Sequence, residues 1–165
     1  MLKVLIFEMA NKALALPLDA VREILPLPVL SRPPQVPSLI EGFFNLRGRA
    51  TAVLRLDRLL GLAGSGAGVY APLLLLKEKA VSGETGPLAL LADRVLGIQT
   101  LALSTVLPVA AADSLNGCIA AELAAALPPA HLLSLDRLLL ERERQCLNEH
   151  RAWADARLAA LGAAE

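Results

Sequence analysis

The chain has few aromatic residues, no excess of charge and only two cysteines. Aromatic residues make up 3% of its 165 positions, so few side chains can stack on nucleic-acid bases. Sixteen basic and sixteen acidic residues give a net charge of zero, without the basic excess typical of nucleic-acid binding proteins. Cys118 and Cys146 lie far apart and form no CxxC pair. We therefore expect no nucleic-acid partner, and two free thiols in a reducing compartment.

The chain also lacks an uninterrupted hydrophobic run long enough for a transmembrane helix. Residues 59–76 and 95–112 carry no charge, but glycines and a proline interrupt the first and polar residues and a proline the second. The first residues show neither the apolar core nor the cleavage site of a signal peptide. We therefore expect a soluble, cytoplasmic protein with no direct membrane insertion.

Patterns typical of catalytic, metal and cofactor sites are missing as well. His131 and His150 have no partner at the spacing of metal ligands. The segment Gly64-Ser65-Gly66 is neither a nucleophile elbow nor a phosphate-binding loop, and Asp93 has no second carboxylate nearby. The sequence therefore favours a non-catalytic protein with no metal and no cofactor. An enzyme of unrecognised type is the alternative from another functional class.

What the chain does have is a high content of small and aliphatic apolar residues. Hydrophobic residues make up 55% of the chain, charged residues 19%, and the mean hydropathy is +0.54. Many short apolar segments, separated by turn residues, predict a mostly-β domain of barrel or sandwich type. The segments that we expect to be strands include 2–9, 13–18, 71–77, 87–92 and 131–135.

Other segments carry turn or helix signals. Asp19 is placed to cap a short helix over 20–25, which Pro26 and Pro28 would end. Residues 56–60 read as a helical turn, and 120–127 as a helix or a strand, with the alanines favouring a helix. Asn116-Gly117 predicts a hairpin turn, and the Gly/Ser-rich stretch 61–68 predicts a mobile loop.

The most informative segment is Gly42-Phe43-Phe44-Asn45-Leu46-Arg47-Gly48, which lies between two apolar strands. Asn and Gly tolerate positive φ at low cost, so the segment predicts a tight chain reversal. The reversal holds Arg47, which the turn itself does not need. A guanidinium fixed at a hairpin suits the recognition of a partner's carboxylates or backbone carbonyls.

The last part of the chain changes in character and predicts a long helix. Charges alternate over 141–144, helix formers follow, and Gly162 is placed as a C-cap. Leu140, Leu147, Ala154 and Leu161 recur every seven residues as a narrow apolar stripe. This stripe favours docking of the helix on its own domain. The alternatives are weak self-association through the helix, a connector or a frayed tail.

Five segments together resemble the CheW-type coupling domain of bacterial chemosensory systems, in order and spacing, over about residues 1–140. The Asn-Leu-Arg-Gly segment is the most specific of them. They are Phe7-Glu8 with Leu14-Ala15-Leu16-Pro17, then Val21-Arg22-Glu23-Ile24-Leu25, Gly42–Gly48, Leu91-Ala92-Asp93-Arg94-Val95, and Leu132–Leu139.

The resemblance implies two small five-stranded SH3-like β-barrels that share a hydrophobic core over residues 1–140. Residues 141–165 would then be an amphipathic helical extension. It implies a non-catalytic adaptor that couples the cytoplasmic tip of a methyl-accepting chemoreceptor to the regulatory domain of a CheA-like histidine kinase. A CheW-like scaffold in a type IV pilus or other non-flagellar chemosensory pathway is the alternative.

The resemblance also assigns interface positions. Where the family has Pro and Asp in the strand after the Asn-Leu-Arg-Gly turn, this chain has Ala52 and Arg55, and the second difference reverses a charge. The positions expected at the receptor or kinase interface are Val21, Glu23, Ile24, Asn45, Arg47, Gly48, Arg55 and Val95.

Overall fold

The computed structural model describes residues 1–62, 71–78, 87–109, 118–138 and 141–163. Within these ranges the chain is mostly β, with eleven strands in a six-stranded and a five-stranded sheet. A mostly-β fold was predicted from the short apolar segments, and the structure confirms it. Two helices, α1 (Leu56–Leu59) and α2 (Glu141–Ala163), complete the described elements together with short 3-10 turns.

The six-stranded sheet contains the first and the last strand of the β-domain. Its order is β8-β1-β2-β11-β10-β9. Strand β11 runs parallel to β2, and all other neighbouring strands of this sheet are antiparallel. The predicted hairpin is confirmed here, because β1 and β2 join through Ala10 and Asn11, both at positive φ. Its strands are β1 (Leu2–Met9), β2 (Lys12–Pro17), β8 (Arg94–Leu101), β9 (Val106–Pro108), β10 (Ile119–Leu123) and β11 (Ala130–Leu133).

The five-stranded sheet is built from the middle of the chain. Its order is β3-β6-β7-β5-β4, so β3 and β4 form its two edges, and β5 runs parallel to β7. Leucine-rich β6 and β7 are buried along nearly their whole length, as expected for central strands. Its strands are β3 (Val21–Pro26), β4 (Ile40–Leu46), β5 (Arg49–Arg55), β6 (Pro72–Leu76) and β7 (Leu88–Leu91).

The described residues contain three clusters of buried side chains, and one of them joins the two sheets. The largest one draws on both sheets, with Leu5 and Phe7 from the six-stranded sheet and Phe43 and Leu54 from the five-stranded sheet. Each sheet also packs a smaller cluster on its other face. Burial of apolar surface at this shared core is the main stabilising term that joins the two sheets. The resemblance predicted such a shared core.

The prediction of two closed five-stranded barrels was wrong. The sheets have six and five strands, and within the described residues neither sheet pairs its first strand with its last. In the six-stranded sheet the edges β8 and β9 are connected through a 3-10 turn at Leu103–Thr105. In the five-stranded sheet the edges β3 and β4 are connected by a segment with Pro28, Pro33, Pro34 and Pro37, which lack the N–H groups that strand pairing needs.

One helix prediction was also wrong, and a segment that was left open between helix and strand, with helix favoured, is a strand. Residues 21–26 form β3, preceded by a 3-10 turn at Leu18–Ala20, because pairing with β6 satisfies the backbone of this segment. Residues 119–123 form β10, whose burial alternates with the period of two that characterises a strand. In both places tertiary pairing outweighs the local helix signals of Asp19 and the alanines. The helical turn predicted over 56–60 is confirmed as α1.

Helix α2 has 23 residues and docks on the five-stranded sheet of its own domain. Leu147 and Ala154, two members of the predicted apolar stripe, are buried in the shared core. The Ala50 N–H donates to Asp155 Oδ1 at 2.8 Å, and Arg151 Nη2 donates to the Pro87 carbonyl at 3.2 Å. These contacts favour the docking hypothesis, while self-association stays a prediction.

Several predictions fall outside the described residues. They concern the Asn116-Gly117 turn, most of the 61–68 loop and Leu140, together with the side chains of Cys146 and Leu161 on α2. Cys118 is described and buried, and its thiol donates to the Arg137 carbonyl at 3.5 Å. No helix in the described part of the chain is both long and apolar enough to cross a membrane.

Candidate protein-interaction site

The turn between β4 and β5 presents the most specific predicted site residue. Leu46 pairs with Arg49, which leaves Arg47 and Gly48 as the two central residues. Their φ angles are +52° and +85°, as a type I′ hairpin turn requires. The sequence predicted that Asn and Gly would take positive φ, and this is confirmed for Gly48. It was wrong for Asn45, whose Oδ1 accepts a hydrogen bond from the Gly48 N–H at 2.7 Å, while Arg47 adopts the left-handed conformation.

The Arg47 side chain is exposed at the tip of this hairpin. It makes no hydrogen bond or ion pair with any other residue that the structure describes, whereas its neighbour Arg49 pairs with Glu78. A non-glycine residue in the left-handed region costs conformational energy, and such strain concentrates at functional sites. The turn therefore presents an exposed guanidinium that has no partner among the described residues and is available to another protein.

Arg55, at the other end of β5, is engaged within its own domain. Its Nη2 and Nε donate to the two carboxylate oxygens of Asp57, at 2.8 and 3.2 Å, and Glu41 lies 3.7 Å from Nε. The hydrogen bond with Asp57 raises the pKa of Arg55 above its ordinary value. Asp57 is buried, so Arg55 compensates a charge that would otherwise be costly. A role for Arg55 in an interface stays a prediction.

Three predicted receptor-contact residues lie on β3, at one edge of the five-stranded sheet. Val21 is half-buried against the shared core, while Glu23 and Ile24 are exposed. A bulge between Val21 and Glu23 interrupts the pairing with β6. Ile24 is a large aliphatic side chain with 45% of its surface exposed, so this edge offers an apolar contact next to a carboxylate.

The last predicted residue, Val95, lies on β8 at an edge of the six-stranded sheet. It pairs with Phe7 of β1 and is half-buried against the shared core, as Val21 is. Val21 and Val95 therefore mark the places where an edge strand of each sheet reaches the same core. The structure thus divides the predicted site into the β4–β5 hairpin and a pair of sheet edges.

Sequence reasoning missed a third element beside the hairpin, on helix α2. Trp153, Arg157 and Leu158 line a small groove together with Phe43 and Asn45. Trp153 is the single tryptophan of the chain, and this rarity is the signal that sequence reasoning passed over.

These features define a class of protein: a two-sheet β-domain that carries an exposed, unpaired arginine on a strained hairpin. Such a domain is equipped for contacts with other proteins. The CheW-like domain family model matches residues 3–142, and the chain therefore belongs to this family. The match ends two residues into α2, so the groove-lining part of that helix lies beyond it.

A solved structure supports the same fold. The chain is similar to the scaffolding protein TtCheW from Thermoanaerobacter tengcongensis, with a TM-score of 0.76 and 17% sequence identity. The similarity covers 87% of this chain and 91% of that chain. No curated protein sequence matches this chain. The family match and the structural likeness thus agree on a CheW-like fold.

Proposed function

We propose that this protein is a cytoplasmic, non-catalytic scaffold that couples the tip of a chemoreceptor to the regulatory domain of a CheA-type histidine kinase. Membership of the CheW-like family supports a scaffold role. The observation that carries the proposal is the exposed Arg47 at positive φ, without a partner in the described part of the chain. Strained backbone conformations concentrate at functional sites, which supports a partner at this turn.

The receptor contact would use the two sheet edges. A chemoreceptor tip is a helical hairpin, and an amphipathic helix binds a protein surface through an apolar ridge. Ile24 on β3 and Val95 on β8 offer apolar surface for that ridge, and the exposed Glu23 would fix its register. An interface of standard size buries about 800 Å² on each partner, and transient signalling contacts bury less.

Coupling would follow from the geometry of the shared core. Val21 and Val95 both pack against it, and so do buried residues of the β4–β5 hairpin. A receptor bound at the sheet edges and a kinase domain bound near the hairpin would therefore be held in one arrangement. A change at the receptor tip would alter which kinase arrangement the scaffold supports, which is a coupling free energy between two sites.

The direct test is the affinity of this protein for purified receptor-tip and kinase regulatory domains. We expect saturable binding to each, and we expect Arg47→Ala to weaken at least one complex by about 1–3 kcal/mol. Arg58→Ala is the matched control, because Arg58 is exposed on α1, beyond the opposite end of β5. Absence of binding to both domains would contradict the proposed function.

A further inference from the structure

Helix α2 makes two hydrogen bonds to the backbone where the pairing of β5 with β7 begins. The first residue of β5 that pairs with β7 is Ala52, whose N–H donates to the Pro87 carbonyl at 3.4 Å. Arg151 Nη2 donates to the same carbonyl at 3.2 Å, and Asp155 Oδ1 accepts the N–H of Ala50 at 2.8 Å. The helix is therefore bonded both to β5 and to the residue that precedes β7.

The Ala50 N–H points away from β4. N–H groups two residues apart on a strand point to the same side, and the Ala52 N–H points toward the beginning of β7. Because the β5–β7 pairing begins only at Ala52, the acceptor for Ala50 comes from Asp155 on α2. Ala50 is 1% exposed, so loss of this acceptor would leave a buried N–H unsatisfied.

Ala50 lies at the base of the hairpin that presents Arg47. It pairs with Asn45, whose Oδ1 accepts the Gly48 N–H at 2.7 Å and so closes the turn. The same pair of residues is thus bonded to the turn on one side, through Asn45, and to α2 on the other side, through Asp155. The contact from α2 reaches the backbone three residues from Arg47.

The end of this hairpin depends on support from outside its own two strands. Residues 45–50 lie beyond the first pair between β5 and β7, and a hairpin of two strands alone is only marginally stable. Arg49 forms an ion pair with Glu78, but both side chains are about half exposed, so this pair adds little. The bond from Asp155 to a buried backbone group is the stronger support.

We propose that Asp155 is a positioning residue for Arg47 in the complex with the kinase regulatory domain. By holding the base of the hairpin, α2 keeps the backbone that carries Arg47 in its binding orientation, and a pre-oriented side chain loses less entropy on binding. This inference rests on the proposed scaffold function, in which the kinase domain binds near the hairpin. The receptor contact, at the edges β3 and β8, does not depend on Asp155.

The test is a double-mutant cycle on the full-length protein, titrated with the kinase regulatory domain. Asp155 is exposed, so Asp155→Ala should fold, and it should weaken kinase-domain binding about threefold to tenfold. In an Arg47→Ala background the same change should have little further effect, because the orientation of the hairpin no longer matters without the guanidinium.

Two control variants separate the hydrogen bond from the charge. Asp155→Asn keeps an Oδ1 acceptor for the Ala50 N–H and should retain nearly the parental affinity. Glu149→Ala removes a negative charge from another exposed position of α2 and should leave the affinity unchanged. The affinity for the receptor tip, measured on the same preparations, should be unchanged in all of these α2 variants.

The other outcomes distinguish the inference from the proposed function. Parental kinase-domain affinity in Asp155→Ala or in Arg47→Ala would overturn the positioning role, while binding of both domains would leave the scaffold function standing. Equal effects of Asp155→Ala with and without Arg47, or an equal loss of affinity for both domains, would also overturn it. Absence of binding to both domains by the parent protein would overturn the proposed function and the inference with it.

Discussion

Arg47 occupies a backbone conformation that costs a non-glycine residue about 1 kcal/mol or more. We expect Arg47→Asn to raise the free energy of unfolding by about 0.5–1 kcal/mol, because Asn-Gly is the preferred pair for a type I′ turn. The same variant should weaken partner binding, since it removes the guanidinium. Urea denaturation and a binding titration on one preparation would measure both effects.

A second variant tests the hydrogen bond that closes the same turn. Asn45→Ala removes the acceptor of the Gly48 N–H and should lower the free energy of unfolding by about 1 kcal/mol. If Arg47→Asn also lowered the free energy of unfolding, the positive φ of Arg47 would not reduce stability. Partner binding would then not be needed to explain why an arginine occupies this position.

Arg55, unlike Arg47, has a partner within its own domain, the carboxylate of Asp57. We expect Arg55→Asp, which restores the family's residue, to lower the free energy of unfolding by about 2–4 kcal/mol. The buried Asp57 would lose its bidentate partner, and carboxylates would come together near Glu41. Chemical denaturation would measure the difference.

The control for that change lies on the adjacent helix. Arg58→Asp reverses the same charge at an exposed position and should change stability by less than about 0.5 kcal/mol. Equal effects of the two variants would contradict a specific role for the Arg55–Asp57 pair.

The sequence predicted the position of Arg47 in a turn, but neither its backbone conformation nor the partner of Arg55. The segment Asn45-Leu46-Arg47-Gly48 predicted a turn that presents an arginine, and the structure has that turn. It did not predict that Arg47 itself takes positive φ, because that depends on the register in which Leu46 pairs with Arg49. The partner of Arg55 was missed although Asp57 is only two residues away, because burial of Asp57 depends on the whole fold.

Among the elements, the strands that sequence reasoning predicted are those with continuous apolar runs. The hairpin of β1 and β2 and the buried strands β6 and β7 were all predicted. Strand β3 was predicted as a helix, and β10 was left open between helix and strand, because their local residues favour helix. The partner of β3, β6, is distant in sequence, whereas β10 pairs with its neighbours β9 and β11. Local propensity is a weak guide where long-range pairing satisfies the backbone.

The apolar stripe of α2 was predicted with more success, and its docking can be tested. Leu147 is completely buried, so Leu147→Ala should lower the free energy of unfolding by about 2–4 kcal/mol. Thermal unfolding followed by circular dichroism would measure the change.

Leu158 provides the comparison on the same helix. It is only partly buried, and Leu158→Ala should therefore have a clearly smaller effect. A Leu147→Ala variant as stable as the parent protein would contradict the docking of α2 on the shared core.

For the whole molecule, the resemblance predicted the family and the shared core but not the form of the sheets. The shared core is visible in the sequence as alternating apolar positions, such as Leu5 and Phe7, that face one side of a strand. Barrel closure depends on strand number and on which edges meet, and the sequence pattern specifies neither. Within the described residues, the structure has one sheet of six strands and one of five, and neither sheet is closed.

The central claim is that one molecule of this protein holds a receptor tip and a kinase regulatory domain together. The most direct measurement is analytical ultracentrifugation of the three purified components, alone, in pairs and combined. We expect a ternary species of one copy each, which Arg47→Ala depletes and Arg58→Ala leaves intact. Two binary complexes that exclude one another, or no complex with either domain, would contradict the claim.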